Sequence, residues 1–331
     1  MKVSIIIPSF NNSDFISETI SSVLAQTYVD FECIVVDDGS EDDTKNQVSK
    51  FIQQSPNVQL FDRPKDLPKG ANSCRNFGAS KSKGELLLFL DADDLLTDDC
   101  LEKRLSNYGG EDLLVGSTGS FSNSKEANSP FFKNLNPNLP PQEYRNMFLE
   151  YLIPWHTSSG IWKKDFFELI GGFNPNLLRF QDVEIHVRAL NNSGIKLKME
   201  CSEKFTSLYR QSDFHKKITL AKRRFILEEG FKYIEIVWKT VGQNEFSKIQ
   251  GLLVYLLFRF EEVIEKADLV RVKSFTIRGQ AKRINGFNSI EFKMLNFVFA
   301  QLIKSPNRVR KYLSYALYLT YFKRKRSEFL A

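Results

Sequence analysis

The chain has 331 residues, 42% hydrophobic and 26% charged, a balance that excludes an intrinsically disordered protein and leaves room for one large domain with an appendage or for two domains. Cys33, Cys74, Cys100 and Cys201 lie far apart with no Cys-x-x-Cys pair, so neither a zinc knuckle nor a disulfide framework is indicated, and reduced cytoplasmic thiols are the simplest reading. The net charge of +6 is unevenly placed: residues 1–210 carry 22 Lys and Arg against 29 Asp and Glu, while residues 211–331 carry 24 against 11, so an acidic half suited to a metal precedes a basic half suited to an anionic surface.

In chain order, Val3 to Pro8 reads as a first strand, its apolar run being too short for a signal-peptide core. Phe15, Ile16, Ile20, Val23 and Leu24 recur at helical spacing within residues 13–26. Phe31 to Val36 is the next strand and ends in Asp37-Asp38-Gly39-Ser40; Asp42, Asp43 and Thr44 then begin a helix to about Phe51, with acidic residues in the first turn complementing the dipole. Val58 to Phe61 reads as a third strand, Gly70 to Ser80 as a helix and Glu85 to Leu90 as a fourth strand. Such alternation predicts an α/β fold, a mostly parallel sheet flanked by helices.

Residues 117–141, rich in Ser, Asn and Pro, read as a long loop of the kind that often serves as a lid. Ser158 to Trp162 is a further strand, Asp165 to Ile170 a short helix closed by Gly171-Gly172, and Gln181 to Asn191 a helix that Gly194 ends. From Ala221 onward the pattern is helical and amphipathic. The apolar run Leu252 to Phe258 stops at Arg259, far short of the roughly 20 residues a spanning helix needs.

The fourth strand runs straight into Asp91-Ala92-Asp93-Asp94, three carboxylates within four residues. Like charges so close resist joint ionisation unless a cation or hydrogen-bond donors offset them. A divalent ion carrying a phosphate-bearing ligand is one such partner; a solvated turn that caps a helix is the other reading. In a parallel sheet the ligand crevice lies at the carboxyl ends of the strands, where Pro8-Ser9-Phe10, Asp37 to Ser40 and Asp91 to Asp94 all fall.

Four blocks, VSIIIPSFNN, SSVLAQTYVDFECIVVDDGSEDDT, GANSCRNFGASKSKGELLLFLDADD and GGFNPNLLRFQDVEIHVRAL, occur in the order and at about the spacing of family 2 glycosyltransferases, which residues 1–215 resemble. The resemblance implies the GT-A fold, a nucleotide-sugar donor, a divalent metal and inverting transfer. It divides the chain into a catalytic domain, 1–215, whose nucleotide-sugar half covers about 1–100 and acceptor half about 101–215, and a helical, basic C-terminal region, 216–331.

By the same resemblance Asp38 reads the base, accepting from a uracil imide N–H, while Phe10 stacks on the ring and Pro8, Ser9 and Asn11 share that strand end. Core packing stays open for Phe10, and turn capping for Asp38. Arg75, in the Gly70-x-x-x-x-Arg75-Asn76 segment, either holds the nucleotide or its phosphates with its guanidinium fork or pairs with an acidic loop; Lys69 is a second cation for that role. Asp91 falls on the ribose, Ala92 in the same nucleotide-sugar contact, and Asp93 on the metal, with Asp94 an additional or capping carboxylate. Mg²⁺ and Mn²⁺ both suit oxygen ligands.

In Gln181-Asp182-Val183-Glu184, where many members have Glu-Asp, the general base falls on Asp182; Gln181 departs from the commoner Glu, and Glu184 points away on a helix. His215 falls where some GT-A enzymes supply a late residue to the metal or diphosphate. Trp155 and His156 precede the strand that borders the acceptor, Trp155 as a platform under a sugar or as packed core. His186 is assigned to the helix surface.

Arg308-Val309-Arg310-Lys311, the apolar and aromatic Tyr312 to Phe322, and Lys323-Arg324-Lys325-Arg326 place cationic ends around an amphipathic middle, fit either to lie on an anionic membrane or to pack as a C-terminal helix; no nucleic-acid module accompanies that charge. The resulting expectation is a cytoplasmic glycosyltransferase, peripheral on the inner face of the membrane, moving one sugar from a UDP-sugar to a saccharide or lipid-linked saccharide in surface polysaccharide synthesis. With no spanning helix and no Gln-x-x-Arg-Trp motif, processive synthesis is disfavoured. The alternatives are a nucleotidyltransferase, which has no use for an acceptor-side base at Asp182, and an inactive sugar-binding protein, which the intact Asp38, Asp91, Asp93 and Asp182 oppose.

Overall fold

The computed structural model describes residues 1–280 except 107, 123–128, 132–135, 201–203, 212–218, 243–244 and 246–247. His215 and the basic segment Arg308 to Arg326, both singled out above, lie outside the described residues. The chain divides into two compact units, the first Met1–Gln142 with Ile153–Asp213, the second Glu143–Leu152 with the described residues after Phe214.

The first unit is built on β1 (Val3–Ser9), α1 (Ile16–Leu24), β2 (Phe31–Asp37), α2 (Thr44–Gln54), β3 (Val58–Asp62), α3 (Ala71–Lys81) and β4 (Leu86–Phe89). There follow β5 (Leu95–Leu96), α4 (Cys100–Ser106), β6 (Leu113–Val115), β7 (Thr118–Phe121) and β8 (Ser129–Pro130). After α5 (Pro141–Leu149) come β9 (Gly160–Lys163), α6 (Lys164–Leu169), α7 (Gln181–Leu190), β10 (Leu197–Met199) and β11 (Ser207–Arg210). The main sheet has seven strands in the order β10-β6-β9-β4-β1-β2-β3. Every pairing is parallel except those of β9, which runs antiparallel between β4 and β6.

β1 and β2 are buried along their whole length, as strands covered on both faces must be. Alternation assigns the faces: Val3, Ile5 and Ile7 share a core with Ile16, Ile20 and Val23 of α1 and Val48 of α2, while Ile6 turns to the opposite side. There α3 comes so close that a Cβ on Gly78 would stand 2.5 Å from Ile6 Cγ2, so only glycine permits the approach.

A second sheet, β5-β11-β7-β8, corrects the reading of residues 117–141 as a loop, because β7 and β8 arise from it. The pattern hid because Thr-Gly-Ser-Phe is a polar strand whose Thr118 hydroxyl is satisfied internally. Thr118 Oγ1 lies 2.6 Å from Ser159 Oγ and 2.7 Å from Ser207 Oγ. Arg104, fully buried, donates to Thr206 Oγ1, Ser207 Oγ and the Ser158 carbonyl. The turn Asp91–Asp94 is thus the junction between the two sheets, with β4 before it and β5 after it.

The second unit is helical among its described residues: Glu143–Leu152, mostly α5, then α8 (Leu220–Val241), α9 (Gln250–Arg259) and α10 (Lys266–Gln280). Part of its positive charge is spent internally, since Arg224 pairs with Glu228 and Asp268, Arg271 with Glu228 (3.1 Å) and Glu235 (2.7 Å), and Arg145 with Glu245 (3.2 Å). No helix among the described residues is long and apolar enough to cross a membrane.

Candidate active site

Residues at the carboxyl ends of β1, β2 and β4 face the start of β9, whose antiparallel direction brings His156 and the 3₁₀ turn Thr157–Ser159 to the same edge. Asp38, just past β2, is held by Arg63, which also donates to the Pro64 and Leu67 carbonyls, and accepts from Gly70 N at 2.9 Å. Its neighbour Asp37 does the capping, taking the N–H groups of Gly39 (2.9 Å) and Ser40 (2.8 Å) on one oxygen. Pro8 and Ser9 are buried in β1, whereas Phe10 is 43% exposed with Lys69 Nζ 4.1 Å from its ring centroid, so core packing is excluded for Phe10. Asn11 adopts φ 51°, its main-chain N bonded to Ser40 Oγ and its side chain to Glu41 N.

The acidic turn is pinned on both flanks. Arg75 of α3, buried, donates to Asp91 Oδ1 at 2.6 Å, to Gln181 Oε1 at 2.9 Å and to Asn72 Oδ1 at 3.3 Å. Arg210, at the end of β11, gives its main-chain N–H to Asp94 Oδ1 (2.9 Å) and its Nε–H to the Asp93 carbonyl (2.7 Å). Its guanidinium also pairs with Glu18 and lies between the rings of Phe15 (4.8 Å) and Phe121 (4.5 Å). The Ala92 carbonyl accepts from Thr19 Oγ1 at 2.9 Å.

One oxygen each of Asp91 and Asp94 and a ring nitrogen of His156 all lie within 4.8 Å of one another. His156 Nδ1 is 3.5 Å from Asp94 Oδ2 and its Nε2 3.9 Å from Asp91 Oδ2. Asp94 Oδ2 is buried without a hydrogen-bond partner, an arrangement that costs free energy unless something else satisfies the oxygen. Burial pushes the Asp91 carboxyl up, but Arg75 and His156 outweigh it and hold it below the usual range. Asp93 is pushed up to about 6, by burial and then by Asp91; Asp94 is raised well above the usual range, by burial and then by Asp91 and Asp93. Burial lowers the His156 pKa against the opposing pull of Asp91 and Asp182, and its Nδ1 lies 2.9 Å from Ser158 Oγ. The donor set and its unpaired oxygen therefore fit a divalent cation. Asp94 and His156 join Asp91 in this cluster, and the Asp93 carboxylate, the metal ligand that the resemblance implies, is not one of the three.

Asp182 sits in the first turn of α7, half-buried, and its carboxylate accepts no hydrogen bond among the described residues. Its charge acts on both His156 and Tyr209, the two rings packed together beside the acidic turn. Glu184 faces elsewhere, in a two-point pair with Arg188 (2.9 and 2.7 Å). The surface placement of His186 is corrected: α7 is buried on nearly every face, and His186 lies 5.4 Å from both the Trp155 and the Trp162 ring centroids, its pKa lowered by burial to about 4. Trp155 is only 2% exposed and meets His186 edge-on, so it is core and not an open sugar platform. His156 belongs with the carboxylates, packed on Tyr209 (4.8 Å) and Phe131 (5.4 Å). The sequence reading missed Arg63 and the bracket formed by Arg210; the Leu208-Tyr209-Arg210 run served it only as a landmark.

With this geometry in hand, the profile of "Glycosyl transferase family 2" matches residues 4–168, from β1 through α6. Through these residues the chain belongs to glycosyl transferase family 2. The chain is 42% identical over 125 residues to the poly(ribitol-phosphate) β-N-acetylglucosaminyltransferase TarP of Staphylococcus aureus, covering 36% of this chain and 37% of that protein. It is 39% identical over 104 residues to the UDP-Glc:α-D-GlcNAc-diphosphoundecaprenol β-1,3-glucosyltransferase WfgD of Escherichia coli, covering 31% and 40%. These matches thus span less than half the length of either relative. Among solved structures, S. aureus TarS 1-349 in complex with UDP-GlcNAc superposes with a TM-score of 0.66 at 18% identity, covering 98% of this chain and 92% of that one. A Pyrobaculum calidifontis mannosyltransferase in complex with GDP-Man and Mn²⁺ gives 0.52 at 16% identity, covering 97% and 87%. The family 2 domain has the GT-A fold.

Proposed function

We propose that this chain is a metal-dependent, inverting glycosyltransferase that moves one sugar from a UDP-sugar to a hydroxyl of a saccharide or lipid-linked saccharide. The observation that carries the reading is the Asp91–Asp94–His156 cluster, with the unpartnered carboxylate of Asp182 near enough for its charge to act on His156. Catalysis is assigned to residues 1–215 and an accessory role to 216–331. Acceptors of the kind named for TarP and WfgD, and hence surface polysaccharide synthesis, are what this reading carries over from those relatives. Work at the inner face of the cell membrane is proposed on the same ground and on the basic C-terminal sequence.

In this mechanism Asp38 and Phe10 hold the base, and Asp91, steadied by Arg75, lies at the ribose side. Asp182 takes the proton from the acceptor hydroxyl as its oxygen bonds to the anomeric carbon, and the bond from that carbon to the diphosphate oxygen breaks on the opposite face, leaving the electron pair on the nucleoside diphosphate. Asp91, Asp94 and His156 would hold a divalent ion, which would supply positive charge for the leaving diphosphate. The imidazole nitrogen favours Mn²⁺ over Mg²⁺, which prefers oxygen ligands alone. The test is UDP release from UDP-GlcNAc with Mn²⁺ and with chelator. Activity should need the ion, and Asp182→Asn should lower turnover on the order of 10³-fold while UDP still binds. Full turnover by Asp182→Asn sinks the reading, as pyrophosphate release from a nucleoside triphosphate would.

A further inference from the structure

α3 presents Asn72, Arg75 and Asn76 on one face, at i, i+3 and i+4. Asn72 and Asn76 engage the segment between α6 and α7, which pairs with no strand, and Arg75 reaches Gln181 at the start of α7. Asn76 Nδ2 donates to the Phe173 carbonyl at 2.7 Å while its Oδ1 accepts from Phe173 N at 2.8 Å, so one amide side chain stands in for a strand partner. Asn72 Nδ2 donates to the carbonyls of Asn174 (2.6 Å) and Leu177 (3.2 Å). The Leu177 carbonyl also takes Gln181 Nε2 at 3.0 Å, and Gln181 Oε1 receives Arg75. Crowding secures the fit: a Cβ on Gly172, at φ 63°, would stand 2.6 Å from Asn76 Oδ1. The segment ends on Phe180, whose φ of 59° is a left-handed conformation that a bulky residue adopts only under constraint, and the next helical turn carries Asp182.

We infer that Asn72 and Asn76 are positioning residues: with Arg75, which also holds Asp91, they make α3 the ruler that fixes the distance between the donor-side carboxylate and the acceptor-side base. The inference rests on Asp182 being the base. Apart from the Leu177 N–H bond to the Asn174 carbonyl (3.2 Å), the main chain of 173–177 is anchored through these side chains, so losing one amide loosens the chain directly before α7. Gln181 suits the design, because a neutral acceptor leaves the charge of Arg75 to Asp91.

The experiment compares Asn72→Ala, Asn76→Ala and Asp182→Asn in the full chain, reading Mn²⁺-dependent UDP release from UDP-GlcNAc and calorimetric binding of UDP. Each asparagine variant should lose on the order of 100-fold in kcat, the usual consequence of a displacement near 1 Å, with KM for UDP-GlcNAc and UDP affinity within about twofold. Asn76→Asp adds a readout that simple loosening would not move: protonated, it again offers a donor to the Phe173 carbonyl, so its activity relative to the wild type should rise as pH falls from about 8 to about 5. If Asn72→Ala does not fold, Asn76→Ala and Asn76→Asp carry the test by the same criteria. Undiminished kcat in the asparagine variants beside an inactive Asp182→Asn overturns the positioning role and leaves the base intact; loss of UDP binding overturns it too, by making the pair part of the donor site. An active Asp182→Asn overturns the base assignment instead.

Discussion

The two ends of the main sheet treat a buried carboxylate in opposite ways. At the amino ends of the strands, Glu32 accepts from Ser4 Oγ (2.7 Å), Lys83 N (2.6 Å) and Gln59 Nε2 (3.1 Å). Burial alone would push its carboxyl up, yet these bonds hold it below the usual range. At the carboxyl ends, Asp93 and Asp94 are raised, and one Asp94 oxygen has no hydrogen-bond partner. The chain supplies every partner that holds Glu32, whereas the deficit at Asp94 Oδ2 fits the proposed cation.

Four experiments would break or sharpen that contrast. The largest effect belongs to the deficient end: Asp94→Ala and His156→Ala should each weaken Mn²⁺ binding by about 10- to 100-fold, read by calorimetry or by paramagnetic broadening. Equal Mn²⁺ affinity in both variants would detach the cluster from any ion. Next, Glu32→Gln should destabilise by about 1–3 kcal/mol in urea unfolding, because the amide cannot accept from Ser4, Lys83 and Gln59 together without turning a donor toward one of them.

The pH slopes of the ion-free protein come third, and they have opposite signs. Asp93 titrates near 6 in the fold and near 3.8 when free, so the folded chain holds the extra proton between those values and stability falls as pH rises through that window. Asp94 acts in the same direction. Glu32 titrates lower in the fold than outside it, so its contribution is present above its ordinary value and is lost as pH drops through the folded one. Saturating Mn²⁺ should flatten the first slope and leave the second. The smallest effect is Asp94→Asn in chelator, where an uncharged side chain of the same size should change stability by less than about 1 kcal/mol; a loss as large as that of Glu32→Gln would mean both ends are structural.

What the sequence made legible was whatever rests on contiguous pattern. β1, β2 and β4 are near-unbroken apolar runs because both faces of those strands are covered, and Gly78 falls where α3 meets Ile6. The second sheet escaped notice because β7 is stabilised by the Thr118 hydroxyl, which bonds to Ser159 and Ser207, residues remote in sequence. The acidic turn announced itself, but its division of labour did not. Which of three neighbouring carboxylates turns toward His156 depends on the turn closed by Asp94 N and the Asp91 carbonyl at 3.1 Å, and on Arg210 taking the Asp93 carbonyl. Arg63 and Arg210 look like any surface cations until the chain is folded, when each closes on a main-chain carbonyl and a carboxylate.

The reversed direction of β9 sets the order in which this centre can come into being. Asp91 and Asp94 follow β4, but His156 precedes β9, so the three are neighbours only once β9 has slotted between β4 and β6. An ion that binds the finished trio and not its scattered members stabilises the inserted state by mass action. Under the proposed metal dependence, ion affinity would also gauge assembly: a chain with β9 unseated offers two carboxylates and no imidazole.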